Sequence, residues 1–316
     1  MKKQEKVAVC SRSFSKNEIL RSELLEQYEH VKFNEDGLNL VGQSLIDFLR
    51  GYDKAITGLE VIDENILSFL PELKVIGKYG VGLNMIDMSA LRKYGIRLGW
   101  FGGVNKVSVA ELALTFAISL LRGIHRANRE VLSGKWSQIV GRNLSGKSFG
   151  VIGCGHIGKE LIRLLQPFSC NVLVHDILDY KSFYNQFNVK PIGIEDLLSQ
   201  CDIVSLHIPL DRSTHNIIDH SRLQLMRSNS ILINTSRGGL VDEAALKKML
   251  IENKDFSAAF DVFDEEPPKD LELIRLPNFL CTPHIGGSSI ESVLAMGRAA
   301  IRGLEENSLP QEENNE

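Results

Sequence analysis

Short apolar runs alternate with helical apolar patterns along almost the whole chain. In the first hundred residues this pattern predicts strands near 6–10, 54–57, 74–78 and 97–98. Around them it predicts helices near 17–27, 42–49, 63–69 and 86–93. Strands that alternate with helices are typical of α/β domains built on parallel sheets.

The alternation pauses at residue 106 and resumes at residue 147. A long helical pattern covers 106–132, and the segment 133–137 interrupts it. The second series predicts strands near 148–152, 171–175, 202–206, 230–234, 256–260 and 279–281. A last helix, near 289–304, follows the end of that series. We therefore predict an α/β protein with two Rossmann-like or flavodoxin-like domains, in which 103–287 is inserted into a domain formed by 1–102 and 288–316.

The most specific local signal is a glycine pattern directly after the strand predicted at 148–152. Gly153 allows a tight turn, Gly155 lets the backbone approach a pyrophosphate, and Gly158 lets the next helix pack against the strand. The helix N-terminus then faces the phosphates. Asp176 ends the next strand, 18 positions after Gly158, where a carboxylate accepts the ribose hydroxyls of NAD and repels the extra phosphate of NADP. This context predicts an NAD site.

Composition argues against several other classes of protein. The chain has 36 Lys and Arg against 40 Asp and Glu, and a formal net charge of −4 does not favour a nucleic-acid binder. The five cysteines form no CxxC pair, so we expect reduced thiols and no metal site. The N-terminal apolar run is too short for a signal peptide, and the longest apolar stretch, 109–121, is too short to span a bilayer. We expect a cytoplasmic protein with no membrane partner.

Three polar residues follow predicted strands of the second series. Arg237 emerges at the carboxyl edge of its strand, where α/β sheets place ligands, and a guanidinium can hold a carboxylate through two hydrogen bonds. Glu266 precedes a proline in a charged loop. His284 lies between a proline and two glycines after the last strand, which makes it a candidate proton carrier. Taken singly, Arg237 and Glu266 are more simply interpreted as surface residues.

Together these motifs resemble those of the D-isomer-specific 2-hydroxyacid dehydrogenases. The matching segments keep the family's order and cover nearly the whole chain, at 79–82, 103–111, 153–158, 206–209, 234–239, 261–267 and 282–287. Within the family the resemblance is greatest to the phosphoglycerate dehydrogenases, in a short form that we expect to lack their C-terminal regulatory domain. It implies an oxidoreductase that transfers hydride between C2 of a D-2-hydroxy acid and NAD, with 3-phosphoglycerate, a precursor in serine biosynthesis, as the first candidate substrate.

The resemblance also implies a role for each catalytic residue. Arg237 would bind the substrate carboxylate and polarise the reacting oxygen. His284 would take the hydroxyl proton. Glu266 would hydrogen-bond the other imidazole nitrogen and stabilise the imidazolium that forms, because an adjacent carboxylate favours the charged form of a histidine.

The remaining site residues come from the same resemblance. Contacts with NAD are expected from Gly153, Gly155, His156, Ile157, Gly158, Asp176, His207, Pro209, Thr214, Thr235, Arg237, Asp261, His284 and Gly286. Asp261 in particular would hold the nicotinamide carboxamide. Contacts with the substrate are expected from Lys78, Val81, Gly82, Asn105, Arg237 and His284. The resemblance thus implies that 1–102 with 288–316 is the substrate-binding domain and that 103–287 is the NAD-binding Rossmann domain.

Other features leave partners and substrate open. The apolar helix 106–132 is explained equally well by burial within one chain or by a homodimer interface, and the resemblance favours the homodimer, with Trp136 on an arm that reaches the partner. Many relatives have an aspartate where this chain has Asn84, and the four residues after Trp136, 137–140, include no basic residue. Glyoxylate or hydroxypyruvate reduction is therefore the alternative activity. An NAD-sensing scaffold of the corepressor type is the alternative from another class.

Overall fold

The computed structural model describes residues 2–311, in which the chain divides into two compact units. The first unit comprises 1–105 with 288–316, and the second unit comprises 106–287. Met1 and residues 312–316 belong to the predicted first domain but lie outside the described residues. The assignment of the first domain to substrate binding stays a prediction.

Residues 2–105 of the first unit alternate strands and helices as predicted. The strands are β1 (Val7–Val9), β2 (Val31–Phe33), β3 (Lys54–Thr57), β4 (Val75–Lys78) and β5 (Arg97–Gly99). The helices are α1 (Arg12–Ser15), α2 (Glu18–Gln27), α3 (Gln43–Leu49), α4 (Glu64–Leu67) and α5 (Met88–Lys93). The sequence pattern missed α1 and β2, which have four and three residues.

These strands form one parallel sheet in the order β2-β1-β3-β4-β5. That order is the one found in flavodoxin-like folds. The three central strands, β1, β3 and β4, are buried along their whole length. Separate apolar clusters lie on the two faces, one around Leu45 and Leu91 and the other around Phe14 and Leu24. A sheet covered on both faces is the expected setting for all-parallel strands.

The second unit begins with two helices, α6 (Lys106–Arg122) and α7 (Ile124–Leu132), where the sequence predicted one. The chain bends by 63° between them, at Gly123, whose φ of 63° is left-handed. Glycine adopts this conformation without a Cβ clash, so it ends α6 at this point. Within the described part of the chain, no single helix is long and apolar enough to cross a membrane, and only this bent pair reaches that length and composition.

From Ser148 the second unit returns to the βα alternation. Its strands are β6 (Ser148–Ile152), β7 (Asn171–His175), β8 (Lys190–Pro191), β9 (Ile203–Leu206), β10 (Ile231–Asn234), β11 (Ser257–Phe260) and β12 (Phe279–Cys281). Its helices are α8 (His156–Leu165), α9 (Lys181–Phe187), α10 (Ile194–Gln200), α11 (His220–Leu225), α12 (Glu243–Glu252) and α13 (Leu271–Arg275). Only β8 was missed among the strands, because it has two residues and one is a proline, which sheets tolerate at an edge.

All strands of the second unit are parallel, in the order β12-β11-β10-β9-β6-β7-β8. Counted from β6, the first six follow the 3-2-1-4-5-6 order of dinucleotide-binding folds. The order reverses between β6 and β9, and ligands of open α/β sheets bind outside the carboxyl ends of strands at such a reversal. The predicted fold class is therefore confirmed for both units, and the glycine pattern lies beside the reversal.

The last helix, α14 (Ile290–Gly303), belongs to the first unit. It packs against β4 and β5, where glycines allow its backbone to come close. A Cβ on Gly77 would lie 2.4 Å from the carbonyl oxygen of Ala300, and one on Gly99 would lie 2.0 Å from that of Gly303. These contacts between two distant parts of the sequence explain why the chain end completes the unit with which the chain begins.

Candidate active site

The candidate active site is built on the carboxyl edge of the second unit's sheet. Each predicted residue of this unit follows directly or closely after a strand or begins the helix that comes next. The glycine loop (153–158) joins β6 to α8, Asp176 follows β7, and His207 follows β9. Arg237 follows β10, Asp261 follows β11 and His284 follows β12. Parallel strands bring these residues to one edge although up to 131 positions separate them in the sequence.

The glycine loop has the shape that a pyrophosphate requires. Gly153 has a φ of 97°, and a Cβ on it would lie 2.4 Å from the carbonyl oxygen of His207. A Cβ on Gly158 would lie 2.0 Å from the carbonyl oxygen of Gly153, so helix and loop pack backbone against backbone. A Cβ on Gly155 would meet no atom within 4 Å. The space in front of Gly155 is therefore open, as a bound phosphate would need.

Asp176 contacts the glycine loop itself. Its Oδ2 accepts a hydrogen bond from the backbone N–H of Cys154 at 2.5 Å, and its Oδ1 accepts one from Leu178 at 2.8 Å. A carboxylate offers about four acceptor positions, so both oxygens keep capacity for ribose hydroxyls. The thiol of Cys154 is buried in the same loop, and burial raises its pKa to about 11.

Two buried polar atoms at this edge have no hydrogen-bond partner among residues 2–311, namely Nδ1 of His207 and Oγ1 of Thr235. The other ring nitrogen of His207 lies 2.9 Å from Oγ of Ser205. Burial lowers the pKa of His207 to about 3, so its ring is neutral at pH 7. Buried polar atoms are almost always bonded. Two unpaired atoms close to an open glycine loop therefore fit a polar ligand such as NAD.

The other predicted cofactor residues lie nearby but make no diagnostic contact. His156 and Ile157 begin α8, with His156 exposed. Thr214 closes the loop after β9, because its Oγ1 donates to the carbonyl oxygen of Pro209 at 2.8 Å and accepts from the backbone N–H of Asp211 at 2.8 Å. Their contacts with NAD stay predictions.

Arg237 lies half-buried next to the loop that carries Glu266. Its Nη1 donates to the carbonyl oxygen of Ser236 at 2.6 Å. Burial lowers the pKa of Arg237, and the nearby charge of Glu266 acts in the opposite direction. A guanidinium keeps its charge at any working pH. Gly238 allows the two loops to touch, since a Cβ there would lie 2.0 Å from the carbonyl oxygen of Phe263.

His284 and Glu266 form a pair in the geometry expected of a histidine and its orienting carboxylate. Nδ1 of His284 lies 2.8 Å from Oε2 of Glu266, and Oε1 of Glu266 accepts from the backbone N–H of Phe263 at 3.1 Å. The side chain of His284 is 48% exposed. Its Nε2 has no partner within residues 2–311. The structure thus brings Arg237, Glu266 and His284 to one sheet edge, while their catalytic roles stay predictions.

Asp261 is 1% exposed and accepts bonds from the loop of His284. Its Oδ1 accepts from Oγ1 of Thr282 at 2.5 Å and from the backbone N–H of Ile285 at 2.7 Å, and its Oδ2 accepts from that of Gly286 at 2.7 Å. A Cβ on Gly286 would lie 3.0 Å from that oxygen. The expected contact between Asp261 and the nicotinamide stays a prediction.

In the first unit, Lys78 is 4% exposed at the end of β4. Its Nζ donates to the carbonyl oxygens of Gly58 at 2.5 Å and Tyr79 at 3.1 Å. The contact between Lys78 and the substrate, which the resemblance implies, stays a prediction.

The other predicted substrate residues also belong to the first unit. The carbonyl oxygen of Val81 accepts a hydrogen bond from Nε1 of Trp100 at 3.0 Å, and Gly82 is half-buried. Asn105 is buried, and its Oδ1 has no partner within the described chain. The contacts of these three residues with a substrate stay predictions.

Sequence reasoning missed Glu243, in the first turn of α12. Its Oε1 accepts from the backbone N–H of Asp264 at 2.9 Å and so holds the loop that carries Glu266. Burial raises the pKa of Glu243. The available signal was ambiguous, because an acid after the N-cap Asp242 is ordinary at a helix start. Among residues 2–311, no group of three or more His, Cys, Asp and Glu side chains could hold a metal ion.

Comparisons with known proteins agree with this geometry. A sequence profile described as D-isomer specific 2-hydroxyacid dehydrogenase, NAD binding domain, matches residues 114–286. The chain is 34% identical over 283 residues to D-3-phosphoglycerate dehydrogenase of Methanocaldococcus jannaschii, a match that covers 88% of this chain and 54% of that protein. This chain thus spans about half the length of that relative.

Two further proteins match over nearly their whole length. Glyoxylate reductase of Thermococcus litoralis is 31% identical over 291 residues, which cover 89% of this chain and 88% of that protein. The crystal structure of D-lactate dehydrogenase from Aquifex aeolicus, complexed with NAD and lactic acid, is 25% identical with a TM-score of 0.82 and covers 95% of this chain and 94% of that one. The predicted family and cofactor are confirmed. The chain belongs to the D-isomer specific 2-hydroxyacid dehydrogenases, and its second unit carries the NAD-binding domain of that family.

Proposed function

We propose that the protein is an oxidoreductase that transfers hydride between C2 of a D-2-hydroxy acid and NAD. The observation that carries this proposal is the pair formed by His284 and Glu266, with 2.8 Å between Nδ1 and Oε2. Nδ1 is fixed by the carboxylate, so Nε2 is left to exchange a proton with a substrate. NAD, when bound, supplies or accepts the hydride.

The chain's own residues perform the rest of the reaction. Arg237 binds the substrate carboxylate and, through its fixed positive charge, stabilises negative charge on the reacting oxygen. His284 takes the proton of the C2 hydroxyl at Nε2 in oxidation and returns it in reduction. Glu266 keeps the ring in one orientation and stabilises the imidazolium without taking the proton. The glycine loop and Asp176 bind the cofactor's pyrophosphate and ribose.

The first candidate substrate is 3-phosphoglycerate, oxidised to 3-phosphohydroxypyruvate. The sequence motifs and the 34% identity to a phosphoglycerate dehydrogenase support it. The reaction would then be a cytoplasmic step of serine biosynthesis. Lys78 is the residue that we predict to lie near the distal phosphate.

The second candidate activity is reduction of glyoxylate or hydroxypyruvate. Besides the similarity to a glyoxylate reductase, the buried Nζ of Lys78 favours this activity. Two backbone carbonyl oxygens accept protons from this buried ammonium group, so it is not a solvent-exposed cation at which a phosphate would bind. A small 2-keto acid without a phosphate needs no such cation.

A substrate panel tests both candidates. Steady-state kcat/KM would be measured for 3-phosphoglycerate, glycerate, D-lactate, glyoxylate and the matching keto acids, with NAD or NADH. The highest value for the phosphorylated pair supports phosphoglycerate oxidation, and the highest value for glyoxylate or hydroxypyruvate supports the second activity. The His284→Asn protein is the matched background. No turnover with any of these acids would contradict the proposed function.

We also propose a homodimer. The segment that follows α7 exposes large apolar side chains to solvent, with Trp136 89% and Val140 97% exposed. Helix α7 itself has no buried residue. In α6, one face is buried within the second unit itself, so this helix alone does not require a partner. Light scattering should give twice the chain mass, and Trp136→Asp should shift the population towards monomer.

A further inference from the structure

We propose that Asp261 is a positioning residue for His284, rather than only a contact for the cofactor. The carboxylate holds the loop 282–286 in the one conformation that presents the imidazole to Glu266. This inference rests on the proposed function, in which His284 carries the proton. It assigns to Asp261 a role that the sequence motifs do not imply.

The contacts of Asp261 surround the histidine on both sides. Before His284, the hydroxyl of Thr282 donates to Oδ1, and after it the backbone N–H groups of Ile285 and Gly286 donate to Oδ1 and Oδ2. The backbone N–H of His284 itself donates to the carbonyl oxygen of Asp261 at 2.9 Å. One aspartate thus receives four hydrogen bonds from a loop of five residues.

The loop needs such support because His284 has an unfavourable backbone conformation. Its φ is 53°, in the left-handed region that is sterically unfavourable for a residue with a Cβ. Strained residues persist only where surrounding contacts determine them. Oxygens of a buried carboxylate make strong bonds with backbone N–H groups. Loss of these bonds should let the loop relax and carry the imidazole away from Glu266.

The same contacts limit what else Asp261 can bind. A carboxylate has about four acceptor positions, and the loop occupies three of them. One acceptor position, on Oδ2, therefore remains for a ligand amide, and the residue is only 1% exposed. Most of the hydrogen-bonding capacity of the carboxylate is therefore used by the loop, whose donors stabilise its charge.

Asp261→Asn is the test substitution, because it keeps the size of the side chain. One oxygen becomes an NH₂ group that faces a backbone N–H, so at least one loop contact is lost. We expect kcat to fall by about 10–100-fold, as for a misplaced catalytic group, while the Kd for NAD changes by less than about threefold. Asp255→Asn, the same substitution in an exposed residue just before the other end of β11, is the matched control and should behave as wild type.

A double substitution separates positioning from general loss of structure. If Asp261 acts through His284, Asp261→Asn should lower kcat no further in a protein that already has His284→Asn, because residues that act as one unit are non-additive. If the two effects multiply, Asp261 acts independently and the inference is wrong. A rise in the Kd for NAD that matches the fall in kcat/KM would also overturn it, in favour of the carboxamide contact.

Thr282→Val provides a second variant in case Asp261→Asn does not fold. It removes one donor to Oδ1 and leaves the carboxylate in place. We expect a fall in kcat of about threefold to tenfold with unchanged NAD affinity, and wild-type kcat would contradict the inference. Full turnover by the His284→Asn protein would contradict the proposed function itself, whatever the role of Asp261.

Discussion

Two loops at the same sheet edge reach their shapes by different physical means. The glycine loop (153–158) depends on the absence of side chains, since a Cβ on Gly153 or Gly158 would clash with a backbone carbonyl oxygen. The histidine loop (282–286) depends on polar contacts, since the carboxylate of Asp261 accepts three hydrogen bonds from it. The first loop is shaped to admit a ligand, and the second is shaped to present a side chain.

The two loops differ in which residues determine their conformation. The steric requirements of the glycine loop are met by residues within six positions of one another, so a short motif encodes them. The histidine loop depends on an aspartate more than twenty positions earlier, on a neighbouring strand. No short motif therefore encodes a polar loop of this kind. Substitutions in the histidine loop should affect the rate of hydride transfer more than the affinity for NAD.

The largest expected effect is that of His284→Asn on the rate. Asparagine keeps a polar side chain and tolerates the left-handed backbone, but it cannot carry the proton. We expect turnover to fall by about 10²–10⁴-fold, with the Kd for NAD unchanged. Single-turnover kinetics and calorimetry measure the two quantities separately. Unchanged turnover would mean that the histidine loop does not serve the chemistry, and the comparison between the loops would lose its basis.

The glycine loop should respond in the opposite way, through binding and stability. Gly158→Ala places a Cβ 2.0 Å from the carbonyl oxygen of Gly153, so we expect the free energy of unfolding to fall by about 1–3 kcal/mol, together with loss of NAD binding. Gly155→Ala is the matched control. Its Cβ meets nothing within 4 Å, and its φ of −75° suits alanine.

Stability of the Gly155→Ala protein should therefore stay at the wild-type value in the absence of NAD. Its Kd for NAD should still rise by about tenfold or more, because the new methyl group stands where the pyrophosphate approaches the backbone. Denaturant unfolding and titration calorimetry distinguish the two variants. Equal losses of stability in both would show that the loop's shape does not depend on the contact at Gly158.

Most of the fold could be predicted from apolar periodicity. Strands β6, β7 and β12 were predicted to the residue, and the reappearance of a helix after β12 indicated the two-part first unit. The misses have physical causes. Gly123 was hidden within an apolar helical pattern, because one glycine lowers helix propensity only modestly, and its left-handed backbone is decided by the packing around it.

The candidate site could be predicted less completely than the fold. Arg237, Glu266 and His284 were found because family motifs mark them, and the strand order explains how they meet. Two contacts had no such mark. Glu243 accepts a hydrogen bond from the backbone N–H of Asp264, and Asp261 accepts one from that of Ile285. In both contacts the carboxylate lies far from the backbone donor in the sequence. Every residue has a backbone N–H, so no sequence pattern reveals which of them a carboxylate will bind.

A second histidine at the same sheet edge, His207, should make the stability of the protein depend on pH. Burial lowers the pKa of His207 to about 3, whereas an unfolded histidine has a pKa of about 6.5. Between these values the unfolded state binds a proton that the folded state does not. The free energy of unfolding should therefore fall by about 1.4 kcal/mol per pH unit from this residue as pH drops from 6 to 4.

Substitution of His207 by asparagine should remove that part of the pH dependence. Urea unfolding of the protein without NAD, at intervals between pH 7 and pH 4, measures the slope. A slope that is unchanged by His207→Asn would show that the ring protonates in the folded state, and then it would not be the neutral partner that we describe next to the glycine loop.

The smallest expected effect comes from Asp176, whose carboxylate hydrogen-bonds the backbone of the glycine loop. Its Oδ2 accepts from the backbone N–H of Cys154, and its charge should exclude the additional phosphate of NADP. Asp176→Asn keeps an oxygen for that N–H but removes the charge, whereas Asp176→Ala removes both. Both variants should narrow the preference for NAD over NADP by about tenfold, since they lose the same repulsion.

Asp176→Ala should also lower the stability of the protein without cofactor by about 1 kcal/mol more than Asp176→Asn does, because asparagine loses only the hydrogen bond from Leu178 and alanine loses that from Cys154 as well. The ratio of kcat/KM for the two cofactors and denaturant unfolding give the two measurements. If Asp176→Asn and Asp176→Ala lower the stability equally, the loop depends on the charge of Asp176 and not on its oxygen. The glycine loop would then resemble the histidine loop, in which a carboxylate from another strand fixes the backbone, and sterics alone would not account for its shape.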